Sequence, residues 1–91
     1  MNINLKRAIS RLRKAQDAIF NGKCTTKGAS IEITVHATHD ELDFPFFGVG
    51  AFKRDDLNKI SCQSCYLHDD DTVDEIETAL AKISKFLDYN I

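Results

Sequence analysis

The hydrophobic period of this chain changes twice, from helical to two-residue and back to helical, and few architectures accommodate that order. Leu5, Ala8, Ile9, Leu12, Ala15, Ile19 and Phe20 recur at helical spacing, while Lys6, Arg7, Ser10, Arg11, Arg13, Lys14 and Asp17 fill the other side. The spacing predicts a helix over residues 4–20, capped by Asn2 or Asn4 and ended by the left-handed turn that Asn21-Gly22 favours. A polar, mobile loop is expected over 22–28. From Ala29 the period becomes two: Ile31, Ile33, Val35 and Ala37 alternate with Glu32, Thr34, His36 and Thr38, which reads as a strand with one wet face. After a turn begun by His39-Asp40-Glu41, a second strand is expected over 44–52, entered at Pro45 and bent at Gly48 and Gly50. Arg54-Asp55-Asp56-Leu57-Asn58 forms the next turn. A third strand over 60–67 sends Cys62 and Tyr66 to one side and Cys65 and Leu67 to the other.

The last element carries the strongest local signal. Thr72 followed by Glu75 is a capping box, and Val73, Ile76, Leu80, Ile83 and Leu87 form the apolar stripe behind it. The order is therefore α-β-β-β-α, and short turns favour an antiparallel meander. The expected fold is α+β: a three-stranded antiparallel sheet with both helices packed on one face and the other face open, in a single domain over 1–91. At 91 residues the chain buries about 60 to 65% of its unfolded surface, enough for one core but not for a deep substrate cavity, so an enzyme is not expected. The same element order occurs in double-stranded RNA-binding domains, which hold phosphates with lysines at the start of the last helix. Here that place reads Asp69-Asp70-Asp71-Thr72-Val73-Asp74-Glu75, so the sign is opposite and the likeness is one of order alone.

A formal net charge of −2 conceals a strong asymmetry. Up to Gly28 the chain holds Lys6, Arg7, Arg11, Arg13, Lys14, Lys23 and Lys27 against the single acid Asp17; acids then gather at Asp69, Asp70, Asp71, Asp74, Glu75 and Glu77. Asp71, Asp74 and Glu75 suit the positive end of the last helix and Lys82 and Lys85 its negative end, which leaves Asp69 and Asp70 surplus to that need. With Asp40, Glu41, Asp43, Asp55 and Asp56 they suggest a carboxylate surface able to occupy a basic, nucleic-acid-binding groove. The opposite reading is a nucleic-acid-binding module that uses Lys6, Arg7, Arg11, Arg13 and Lys14.

No early stretch has the continuous apolar run of a secretory signal, and no later one approaches the span of a bilayer, so a cytoplasmic protein without membrane association is expected. Cys24, Cys62 and Cys65, odd in number and sparse, fit reduced thiols. Cys62, Cys65, His36, His39 and His68 are donors at suggestive intervals for zinc, but residues three apart on a strand point to opposite faces, and no metal or other cofactor is expected. Phe47-Gly48-Val49-Gly50-Ala51-Phe52 lacks the lysine and hydroxyl of a phosphate loop. The clearest interaction signal is aromatic. Phe46 and Phe52 project to one side of the second strand and Phe47, Val49 and Ala51 to the other, so a sheet covered on one face leaves aromatics exposed. The expectation is a small protein-interaction module, an inhibitor of a host or nucleic-acid-handling enzyme. It would act through Phe46, Phe52 and Tyr66, rimmed by Asp69, Asp70 and Asp71, with a two-fold homodimer through the same face equally compatible.

Overall fold

A computed structural model of the chain describes residues 2–36 and 46–91. The elements are α1 (Ile3–Phe20), β1 (Ser30–His36), β2 (Phe46–Arg54), β3 (Ile60–Leu67) and α2 (Val73–Leu87). The strands form one antiparallel sheet in the order β1-β2-β3, with β2 central, and both helices pack on the same layer. Ala37, Thr38, His39, Asp40, Glu41, Asp43, Phe44 and Pro45, to which the sequence assigns strand, turn or surface positions, lie outside the described residues.

Each helix begins where its sequence provides a cap. The Asn2 side chain accepts from the Asn4 amide at 2.8 Å, and at α2 both halves of the capping box form: the Glu75 amide donates to Thr72 Oγ1 and the Thr72 amide to Glu75 Oε1, each at 3.1 Å. Gly22, at φ 76°, ends α1 in the left-handed conformation that a side chain disfavours. The helices bury Leu5, Ala8, Leu12 and Ala15 from α1 and Ile76, Leu80, Ile83 and Leu87 from α2. These meet Ile31, Phe47, Val49, Ala51 and Leu67 of the sheet in one core, where each fully buried aliphatic side chain contributes about 1.5–3 kcal/mol over an exposed one.

The apolar stripes outrun this core at their ends. Phe20, placed on the apolar stripe by helical spacing, is 91% exposed although Ile19 in the same turn packs against the core, because one residue of helix turns the side chain by about 100° and carries Phe20 off the covered side. Val73, in the first turn of α2, is also exposed, as is Val35 near the end of β1. The second strand continues through Arg54, and its following turn is closed by the Asp55 carboxylate, which accepts from the amides of Leu57 and Lys59 at 2.9 Å each. The 22–28 loop is fastened to α2 and β2. Thr26 Oγ1 and Cys24 Sγ both donate to the Leu87 carbonyl, and the Arg54 amide donates to the Lys27 carbonyl at 2.9 Å. Lys53, on the helix side of β2, reaches the end of α2, where its ammonium donates to the Phe86 carbonyl at 3.0 Å and lies 4.3 Å from the Phe86 ring centre.

Candidate functional site

The uncovered face of the sheet carries a connected set of rings. Antiparallel register sets His36 directly opposite Phe46, and their rings stack with centres 4.7 Å apart and planes within 8°. His68, just beyond β3, lies 5.3 Å from Phe46 and nearly parallel to it, while Tyr66 meets Phe46 at 6.0 Å and His36 at 6.3 Å, edge-on in both cases. Four side chains from all three strands and the turn after β3 thus form one patch, with Phe46 at its centre.

Glycine makes the geometry possible. Gly48 pairs with Thr34 on one side and Tyr66 on the other, and a Cβ placed there would stand 2.9 Å from His36 Nε2 and 3.6 Å from the Tyr66 ring. The rings lie over bare backbone. Two residues along, the Phe52 ring covers Gly50, whose added Cβ would meet it at 3.2 Å. Phe52 is therefore on the expected face but makes no ring pair with the four-membered group among the described residues, and it extends the apolar surface along β2 instead.

Of the expected rim, two acids are already engaged. Asp69 Oδ1 accepts from the Asn2 amide at 2.7 Å, tying the start of α1 to the turn before α2. Asp71 Oδ2 accepts from the His68 amide at 2.9 Å and holds the turn that carries the His68 ring, with the imidazole Nδ1 3.9 Å from the same carboxylate. Asp70 is exposed. The trio adjoins the aromatic patch through His68, so rim and patch are continuous, with Asp69 and Asp71 also structural.

The basic face of α1 is elsewhere. Because Leu5, Ala8, Leu12 and Ala15 point into the core, Lys6, Arg7, Arg13 and Lys14 point away from the sheet, on the layer opposite the rings. Among the described residues none of these four has an ion-pair partner. Arg11 differs from them: it pairs with Glu77 of α2 and donates to the Ile91 carbonyl at 2.7 Å, so it joins helices. The opposed charges of the two chain ends thus meet at one ion pair, and the rest of the cationic stripe stays separate.

Among the described residues the sulfur and imidazole donors do not converge. Cys62 lies opposite Phe52 on the open face, whereas Cys65 lies opposite Val49 on the helix side, half-buried, and burial raises its thiol pKa above the ordinary 9.0 while Lys82 opposes the shift. His36 and His68 flank Phe46 instead of sharing a ligand, and among the described residues no three His, Cys, Asp or Glu side chains come together. The alternation of β1 already put His36 on the wet face. That it stacks on Phe46 depends on the β1–β2 register, and that His68 does so depends on the Asp71 turn. No protein-family model, no curated protein and no solved structure matches this chain.

Proposed function

We propose that this protein acts by contact, as a non-enzymatic protein-interaction module whose binding surface is the open sheet face. His36, Phe46, Tyr66 and His68 form its centre, Phe52 extends it, and Asp69, Asp70 and Asp71 form its rim. The observation that supports this best is the separation of rings from cations. A surface that holds single-stranded nucleic acid stacks bases on aromatics while a cationic groove tracks the phosphates beside them. In this chain the rings lie beside carboxylates, and Lys6, Arg7, Arg13 and Lys14 lie on the other layer. An aromatic centre with an acidic edge suits a protein partner that presents apolar side chains bordered by lysine or arginine. A nucleic-acid-handling enzyme has such a border around its phosphate-binding groove, and occupation of that groove by carboxylates makes the module an inhibitor.

The test is native mass spectrometry of the tagged chain recovered from its own host lysate, with the parent and two variants side by side. A discrete protein adduct lost in Phe46→Ser and kept when Lys6, Arg7, Arg13 and Lys14 are reversed to Glu supports the reading. Heterogeneous, nuclease-sensitive mass that disappears on that charge reversal overturns it in favour of nucleic-acid binding by α1. Arg11 is left intact because it joins α1 to α2, and Asp69 and Asp71 because they hold backbone amides.

A further inference from the structure

The two edges of the sheet are managed differently. On β1, Gln16 of α1 reaches the strand and donates from Nε2 to the Ile31 carbonyl at 2.9 Å, and the charged Glu32 lies on the same strand. Lysines, charges, prolines and covering elements are the usual means by which an edge strand avoids pairing with another chain. β3 has none of these in its sequence: Ile60–Leu67 reads ISCQSCYL, eight residues that among the described residues pair with β2 on one side only. Beside this edge runs a groove of about 540 Å³, bounded by β3 and α2.

We infer that two copies of this chain join through β3, antiparallel about a two-fold axis at Ser64, with each α2 lying against the other across the groove. The inference does not depend on the proposed function. What selects a second copy is the charge order along the groove wall. Asp71, Asp74 and Glu75 stand toward one end, Lys82 toward the other, and Thr78 and Ala79 midway between Glu75 and Lys82. A two-fold axis through that midpoint brings Glu75 against Lys82 of the second copy, and Lys82 against Glu75 of the second copy, so one wall is complementary to itself reversed. The strand agrees with the helix. Ser64 and Cys65 line the same groove, and an axis at Ser64 sets Cys62 opposite Tyr66 of the second copy on the open face. Small side chains at the axis let helices pack at about 8–10 Å while the strands pair at about 4.8 Å. The product is a six-stranded sheet in which the two aromatic patches share one continuous face.

Sedimentation equilibrium of the parent chain from about 1 µM to about 1 mM tests this, with backbone amide exchange measured at both ends of the range. The expected result is a dimer whose β3 amides gain protection as concentration rises. Lys82→Glu, which sets carboxylate against carboxylate across the axis, and Thr78→Arg, which fills its centre, each weaken the dimer at least about tenfold. Added salt restores part of the loss in the first but not in the second, because only charge repulsion is screened. Far-UV circular dichroism checks that both variants remain folded. A parent that is monomeric throughout overturns the inference, as does a dimer that survives both substitutions or one that is lost in Phe46→Ser instead.

Discussion

Neighbouring residues of the same sheet live in opposite environments, and the pairs are closely matched. Phe47 is 6% exposed and packs in the core, while Phe46, one position earlier, lies half-buried among rings on the open face. Leu67 is 0% exposed and Tyr66 is 58% exposed. On the covered face an apolar side chain is held by two helices and its removal leaves a cavity; on the open face it is held by other side chains of the same surface and its removal leaves water. The first arrangement supports the fold. The second leaves apolar area available, and the chain keeps it there together with two glycines whose bare backbone the rings cover.

The sharpest way to break this comparison is to truncate the two phenylalanines in turn. Phe47→Ala is expected to cost about 3–5 kcal/mol in urea-induced unfolding. Phe46→Ala should cost about 1 kcal/mol or less while abolishing partner contact. Equal costs would mean that the open face is part of the core. Next in size is Gly48→Ala. Its Cβ displaces the His36 ring, a movable end of a side chain, so stability should change by about 1 kcal/mol or less while the ring-current shifts of His36 and Phe46 collapse in NMR spectra. An unaltered spectrum would show that the glycine is not what lets the rings lie flat.

Removing Arg11 as Ala should cost about 0.5–1 kcal/mol through its links to Glu77 and Ile91, whereas Arg7→Ala should be neutral in thermal unfolding. The smallest contrast is chemical. Exposed Cys62 should react with iodoacetamide several-fold faster than Cys65, whose thiol is pushed up by burial against the pull of Lys82. Since the folded-state pKa of Cys65 exceeds its unfolded value of 9.0, its contribution to stability is present below that pH and is lost as pH rises through the folded pKa. A Cys65→Ser variant should therefore show a shallower alkaline decline than the parent in pH-dependent unfolding.

Much of this is legible in the sequence. The alternation in Ile60–Leu67 assigned Cys62 and Tyr66 to one face and Cys65 and Leu67 to the other, and the Thr72 and Glu75 pair marked the start of α2, because both are local consequences of backbone geometry. Phe20 was misread for an equally physical reason. Ile19 and Phe20 both join the apolar stripe, yet one residue is about 100° of helix rotation, so Ile19 meets the core and Phe20 faces away from it. Arg11, Asp69 and Asp71 read as members of charged surfaces, yet their partners are 66, 67 and 3 residues away, and the two distant contacts exist only once the helices have docked. The aromatic patch was half legible: Phe46, Phe52 and Tyr66 follow from alternation, while His36 and His68 needed a register and a turn.

The way α1 and α2 cover one sheet also bears on how the molecule comes into being. α1 is synthesised before α2, yet they share one core and are joined by Arg11 and Glu77 across 66 residues. An emerging chain can therefore complete its β-hairpins while Leu5, Leu12 and Val49 still lack the side chains of α2 that enclose them. Closure of this core must wait for α2, whose contacts with α1 are long-range. Until then, the part of the sheet that α2 covers is as bare as the open face.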